Sequence, residues 1–155
     1  MPVVSSSIIE VCIFKFENDR ASYLLLRRRK EEKIYPGIWQ FVSGSVEGKE
    51  TAMDAALREL AEETGFTEPL GFWVVPHVSI FYDRLWDSMN LSPLFAAQIR
   101  VGEEPLLSDE HDLYEWCSFE EAQRKLVWPG QREGMKIVHQ YILGGEKASN
   151  LSRIR

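Results

Sequence analysis

The chain has few of the residues that mark secreted or zinc-binding proteins. It contains two cysteines, Cys12 and Cys117, and three histidines among 155 residues. Both cysteines lie inside apolar, strand-like runs, which predicts reduced core thiols rather than a disulfide or a nucleophile. The histidines are His77, His111 and His139. Their positions do not have the spacing of zinc ligands, so we expect structural or surface roles for all three.

Long apolar runs and excess positive charge are also missing. No apolar stretch approaches the roughly 20 residues that a membrane-spanning helix needs, and the start lacks a basic region followed by an apolar segment. We therefore expect a cytoplasmic protein that has no membrane partner. The 18 Lys and Arg against 24 Asp and Glu give a net charge of -6, which argues against nucleic acid as a partner. A small polyphosphate is still compatible, because carboxylates can hold a cation that binds it.

The sequence does have enough apolar residues to build one core. Hydrophobic residues make up 45% of the chain and aromatic residues 12%, which predicts a single domain over residues 1–145. No repeat or low-complexity linker divides it. The polar tail, residues 146–155, is expected to be mobile.

Apolar patterns predict strands and helices in mixed order. The predicted strands are residues 7–16, 21–29, 38–43, 70–81, 93–101 and 113–117. The predicted helices are residues 51–64, 118–128 and 132–143, and the aromatic segment 82–92 is predicted to be a loop. Because strict βαβ alternation is absent, we expect an α/β or α+β fold with helices flanking a mixed sheet.

The helix predicted over residues 51–64 ends in an unfavourable way. Its last turn before Gly65 holds three acids, Glu59, Glu62 and Glu63. The helix dipole and the repulsion between like charges both disfavour carboxylates there. At 100° per residue the three side chains share one side of the helix end. A cluster of hard oxygen ligands suits Mg²⁺ or Mn²⁺, and the alternative is a solvated acidic surface.

The stretch that contains this helix resembles the Nudix hydrolase signature, G-x5-E-x7-R-E-U-x-E-E-x-G-U, where U is apolar. The matching residues are Gly44, Glu50, Arg58, Glu59, Leu60, Glu62, Glu63, Gly65 and Phe66. The resemblance covers most of the chain. It implies an α/β/α sandwich with a mixed central sheet and a metal-dependent pyrophosphohydrolase, with Mg²⁺ or alternatively Mn²⁺ as cofactor.

Residue roles follow from the same resemblance. It implies that the metal ligands are Glu59, Glu62 and Glu63, and that Glu59 also serves catalysis. The residues that would shape the motif are Gly44, Glu50, Arg58 and Gly65. Arg58 is expected to pair with Glu50 and so to fix the loop on the helix.

One more acid is expected from the segment LLSDEHDLYEW. Relatives of this kind often place an acid just before a strand that ends in Trp, as at Trp116 here. Glu110, with Asp109 and Asp112 nearby, is therefore expected to be a metal ligand or the general base. The alternative is a plain loop acid, and the general base could instead come from the signature helix.

Three residues are predicted to contact the substrate. Arg28 and Ser43 are expected near the phosphates, and Trp39 could stack on a flat ring. A solvated strand end for Arg28 and core packing for Trp39 are the alternatives.

The segments WQFVSGSVEG and DEHDLYEW are similar to the branch that contains dATP and dihydroneopterin triphosphate pyrophosphohydrolases. This similarity favours hydrolysis of a nucleoside or pterin triphosphate to the monophosphate and pyrophosphate. Other nucleoside diphosphate-linked substrates and a non-catalytic binding module are the alternatives, and a homodimer is compatible with the sequence.

Overall fold

The computed structural model describes residues 1–155. The strands are β1 (Val3–Ser5), β2 (Ile8–Glu17), β3 (Arg20–Arg28), β4 (Trp39–Gln40), β5 (Val42–Ser45), β6 (Gly71–Asp83), β7 (Ser88–Gln98) and β8 (His111–Cys117). The helices are α1 (Ala52–Thr64), α2 (Phe119–Lys125), α3 (Pro129–Ile137) and α4 (Ser149–Ser152), and a π-helical turn over Val138–Ile142 extends α3. None of these helices combines the length and apolar character needed to span a membrane.

The strands form one mixed sheet with β2 near its centre. Along the main path the strand order is β1, β7, β2, β3, β4. β7 runs parallel to both β1 and β2, whereas β3 and β5 pair antiparallel with β2. β6 pairs antiparallel with β7, and β8 with β3. Parallel and antiparallel pairing on the two edges of β2 gives the mixed sheet that the sequence predicts.

One face of the sheet packs against α1. Because successive residues of a strand point to opposite faces, Ile9 and Val11 of β2 face this helix. They share a buried cluster with Ala55, Ala56 and Leu60 of α1. The alanines carry small side chains, so the helix axis can lie close to the sheet. This contact brings the C-terminal end of α1 against β5.

The opposite face of the sheet packs against α2, α3 and the π-helical turn. Cys12 and Phe14 of β2 point there and share a second buried cluster with Ala122, Met135 and Val138. The predicted α/β/α sandwich is therefore confirmed. Both cysteines are buried and free, in agreement with the prediction that they do not form a disulfide.

Local sequence signals account for both ends of α1. The Thr51 hydroxyl accepts a hydrogen bond from the Asp54 amide, and the Asp54 carboxylate accepts one from the Thr51 amide, which is a capping box. At the other end Gly65 has φ of 76°, a left-handed conformation that favours glycine. The helix predicted over 51–64 therefore forms with Thr51 as its N-cap.

Strands β6 and β7 form a longer hairpin than predicted. The expected loop over 82–92 shortens to the turn 84–87, since Asp83 pairs with Ser88 and Tyr82 with Met89. β1 was not predicted, and it pairs in parallel with the start of β7. These extended residues are largely exposed, so the alternating apolar pattern that signals a strand is missing.

One helix boundary differs from expectation, and the tail makes contacts that were not predicted. The last long helix begins at Pro129 rather than at residue 132, because proline suits the first turn of a helix. The tail 146–155, which we expected to be mobile, lies against β6. There the Ile154 amide donates to the Phe72 carbonyl at 2.7 Å, and the Arg153 guanidinium sits 5.1 Å from the centre of the Trp73 ring.

Candidate active site

The acidic residues meet the sheet where the second half of α1 packs on β5. A Cβ added at Gly44 would lie 2.1 Å from Cδ of Glu59, so only glycine allows this approach. The Ser43 amide donates a 3.3 Å hydrogen bond to Oε2 of Glu63. The backbone of β5 therefore directly contacts the acids at the helix end.

Glu63 and Glu110 converge at this point. Glu63 is only 3% exposed, whereas Glu110 is exposed. One carboxylate oxygen of each and a ring nitrogen of His111 all lie within 4.8 Å of one another. Burial, together with the negative charge of Glu110, raises the pKa of Glu63 to about 10. Without a compensating cation, the site therefore disfavours the state in which Glu63 and Glu110 are ionised at the same time.

Arg58 engages the remaining acids of the motif. Its guanidinium forms two hydrogen bonds with Glu50, at 2.6 and 3.1 Å, and a third of 2.8 Å with the Ser45 carbonyl. Nη1 donates to Glu59 at 2.8 Å and to Glu62 at 3.2 Å. Burial raises the pKa of Glu59, and the Arg58 contact opposes that rise. Glu59 and Glu62 are thus held by an arginine, while Glu63 and Glu110 face each other.

The predicted phosphate-binding residues lie on two sides of the sheet. Arg28 is the strand partner of His111, and its guanidinium bonds to the Ile34 carbonyl at 3.0 Å and to Glu32 at 3.4 Å. Since Gly44 faces α1, the side chain of its neighbour Ser43 faces away from that helix.

The ring of Trp39 is not among the acids. It packs against the buried cluster on the α2 side, and Nζ of Lys125 lies 4.7 Å from its centre. Arg28 therefore lies beside the acidic site, whereas the Trp39 ring lies in the layer that α2 and α3 form on the other face of the sheet.

Two buried residues beside the acids were missed by sequence reasoning. Nε2 of Gln40 lies 3.1 Å from Nε2 of His111, and Nδ1 of His111 is buried without a hydrogen-bond partner. Burial, reinforced by nearby Arg28, lowers the pKa of His111 to about 4. By contrast His139 has the structural role we expected, since its Nδ1 lies 2.7 Å from the Tyr23 hydroxyl. The sequence signal for a site role of His111 was its position directly after the predicted ligand Glu110.

A second buried carboxyl lies on the opposite face of the sheet. Glu10 is 8% exposed and accepts a 2.6 Å hydrogen bond from Nε2 of Gln131 in α3. Burial raises the pKa of Glu10, and the hydrogen bond from Gln131 opposes the rise. The sequence signal for this buried carboxyl was a single acid in the otherwise apolar strand IIEVCIF.

The residues at the end of α1 fit a divalent cation. Carboxylate oxygens are the ligands that Mg²⁺ and Mn²⁺ prefer. The buried Glu63, the facing Glu110 and the unpartnered Nδ1 of His111 together offer donor atoms and a negative charge that no nearby cationic side chain fully offsets. Glu59 and Glu62 add two more carboxylates at the same helix end.

Comparison with known proteins agrees with this architecture. A profile of the NUDIX domain matches residues 7–136. The CTP pyrophosphohydrolase of Escherichia coli (strain K12) is 32% identical over 115 residues, which cover 74% of this chain and 79% of that protein. An octanoyltransferase of Myxococcus xanthus is 32% identical over 128 residues, 83% of this chain and 35% of that protein. The chain thus spans about a third of the length of this second relative.

Solved structures resemble the fold. A C. elegans Ap4A hydrolase binary complex superposes with a TM-score of 0.76 at 18% identity and covers 90% of this chain and 99% of that one. The E. coli dihydroneopterin triphosphate pyrophosphohydrolase has a TM-score of 0.73 at 22% identity and covers 94% and 100%. These likenesses show the fold alone, whereas the profile match spans most of the chain. The chain therefore belongs to the Nudix hydrolase family.

Proposed function

We propose that this chain hydrolyses a nucleoside or pterin triphosphate to the monophosphate and pyrophosphate, with Mg²⁺ or alternatively Mn²⁺ as cofactor. The observation that carries the proposal is the convergence of buried Glu63 with Glu110 at the end of α1. The CTP pyrophosphohydrolase relative, matched over 79% of its length, supports a nucleoside triphosphate. The resemblance to the branch that contains dATP and dihydroneopterin triphosphate pyrophosphohydrolases supports a pterin triphosphate as an alternative substrate.

The residues that would hold the cation are Glu59, Glu62, Glu63 and Glu110. When bound there, a divalent ion supplies charge neutralisation for phosphate oxygens and a lowered pKa for water. Arg58 keeps Glu59 and Glu62 in place, and through Glu50 it ties the loop before α1 to the helix. The chain thus holds its acids in position before any ligand arrives, as a preorganised site requires.

We infer that Glu110 rather than Glu59 is the general base. A base must reach the water and be free to accept its proton. Oε1 of Glu59 already accepts a 2.8 Å hydrogen bond from Arg58, so this oxygen is not free to take a proton. Glu110 is exposed at the edge of the site and forms no ion pair with Lys or Arg. Because one carboxylate oxygen is enough to bind the cation, the other oxygen of Glu110 can face solvent and take a proton from water.

We propose Arg28 as the first phosphate contact. It lies opposite His111 in the β3–β8 pair, and its present partners are a loop carbonyl and Glu32 at 3.4 Å. The charged oxygens of a phosphate can accept two parallel hydrogen bonds from a guanidinium, which makes them better acceptors than the carbonyl or the distant Glu32. Ser43 and Trp39 are the further proposed contacts, to the phosphates and to the ring, but both side chains lie on the side of the sheet opposite α1, so a substrate must extend beyond the acids to reach them. A substrate ring that stacks on Trp39 would have to displace the ammonium group of Lys125 from the indole ring.

A substrate panel tests the proposed function. Nucleoside triphosphates, dihydroneopterin triphosphate, a dinucleoside polyphosphate and ADP-ribose are each incubated with the protein and Mg²⁺, and the products are identified. We expect pyrophosphate from a triphosphate, and loss of its release in Glu63→Gln but not in Glu17→Gln, a change at an exposed strand end. Binding without turnover under Mg²⁺ and Mn²⁺ would instead identify a binding module, and turnover of ADP-ribose alone would correct the substrate class.

A further inference from the structure

The imidazole of His111 has a partner on one side only. Its Nε2 lies 3.1 Å from the side-chain amide of Gln40. Its Nδ1 is buried and has no hydrogen-bond partner, and the residue as a whole is 1% exposed. Buried polar atoms almost always have a partner. The unpartnered nitrogen therefore points to a group that the polypeptide itself does not supply.

The spacing around His111 indicates what kind of group this is. A ring nitrogen of His111 and carboxylate oxygens of Glu63 and Glu110 lie within 4.8 Å of one another. Two atoms that bind one cation at about 2.1–2.4 Å lie at most about 4.8 Å apart. An anion is disfavoured beside two carboxylates. A divalent cation is thus the class of ligand that all three side chains can contact.

Gln40 can select the form of His111 that binds a metal. A metal-binding histidine usually donates its other N–H to an oxygen, which fixes the tautomer and the ring orientation. In the structure the amide nitrogen of Gln40 faces Nε2 of His111, and a half-turn of this amide presents its oxygen there instead. The imidazole proton then lies on Nε2, and the lone pair of Nδ1 is free.

We propose that Nδ1 of His111 is a ligand of the same cation as Glu63 and Glu110, with Gln40 as the residue that positions it. The proposal rests on the proposed function, because it concerns the cofactor of that site. A nitrogen ligand favours Mn²⁺ or Co²⁺ relative to Mg²⁺, which prefers oxygen. The site is therefore expected to bind Mn²⁺ more tightly than Mg²⁺.

Pulsed electron paramagnetic resonance of the Mn²⁺-loaded protein tests this assignment directly. We expect a nitrogen hyperfine coupling from a coordinated imidazole, which changes when only the histidines carry ¹⁵N. The labelling experiment needs no variant. Bound Mn²⁺ without nitrogen coupling would overturn the ligand assignment and leave the acidic cation site standing. Failure of the protein to bind Mn²⁺ or Mg²⁺ at all would overturn both this inference and the proposed cofactor.

The three histidines of the chain allow a matched set of variants. His111→Gln is expected to abolish the coupling, whereas His77→Gln and His139→Gln retain it. Loss of one ligand should weaken Mn²⁺ binding by at least about tenfold, since even outer-shell changes cost about 10- to 100-fold. The affinity for Mg²⁺ should fall less. An equal fall for both ions, or a coupling that persists in His111→Gln, would contradict the assignment.

Discussion

Arg58 and Glu50 form a two-point ion pair, with Nη2 of Arg58 2.6 Å from Oε1 of Glu50 and Nε 3.1 Å from Oε2. The pair joins the loop before α1 to the second turn of the helix. Because the same guanidinium also contacts Glu59 and Glu62, one side chain sets the positions of three acids. Removal of that side chain should disturb the site more than the surrounding core.

Arg58→Lys should lower kcat/KM for pyrophosphate release by at least about tenfold and should also lower Tm. Lysine keeps the charge but lacks the planar fork that binds several carboxylates at once. Arg124→Lys, at an exposed position of α2, is the matched control and should behave as wild type. Full activity in Arg58→Lys would show that the acids hold their positions without the fork.

Gly44→Ala should reduce activity by about a hundredfold while the protein stays folded. The new Cβ would lie 2.1 Å from Cδ of Glu59, so Glu59 must move, and a misplacement of about 1 Å in a catalytic site can cost that much. Ser45→Ala, on the exposed residue that follows, serves as control. Circular dichroism establishes folding. Near-normal kcat/KM in Gly44→Ala would mean that the present position of Glu59 does not matter for turnover.

Glu10→Gln should make the protein more stable at neutral pH, with a gain that shrinks as the pH falls. Burial raises the pKa of Glu10 above its usual value of 4.5, so the folded state holds this proton more tightly than the unfolded state does. Its contribution to stability is complete below pH 4.5 and is lost as pH rises through the folded-state pKa. Glutamine is neutral throughout. Urea unfolding of both proteins from pH 4 to pH 8, with Glu17→Gln as control, measures the difference. A constant difference across this range would contradict the raised pKa.

Leu60→Ala should lower the free energy of unfolding by about 2–5 kcal/mol, because it removes a fully buried side chain from the core between α1 and the sheet. Leu151→Ala, at a residue that is 90% exposed, should change it by less than about 0.5 kcal/mol. Urea denaturation measures both. Equal stabilities of the two variants would contradict the described core.

The α1 helix and its acids could be predicted because their signals are local. The Thr51 and Asp54 capping box, the terminal Gly65 and the carboxylates at the wrong end of the helix all lie within 15 consecutive residues. The sandwich followed from the order of strands and helices and from the family resemblance. Short-range patterns were therefore sufficient for the helix that carries the site.

The partners of this helix could not be found in the same way. Gln40 and His111 meet because β3 pairs with both β4 and β8, and the packing of α1 on β5 adds Glu63 to them. Such contacts across the chain leave no local pattern in sequence. The extension of the β6–β7 hairpin and the contacts of the tail were not predicted for a related reason. Their residues are held by backbone pairing with neighbouring strands, which depends little on side-chain character.

The central claim is that the convergent acids at the end of α1 hold a divalent cation. Anomalous scattering from a crystal of the protein soaked in Mn²⁺ with a non-hydrolysable triphosphate tests it most directly. We expect a manganese peak between the carboxylates of Glu63 and Glu110 that disappears in Glu63→Gln. A crystal with triphosphate bound but no peak at these residues, or a peak unchanged in Glu63→Gln, would contradict it.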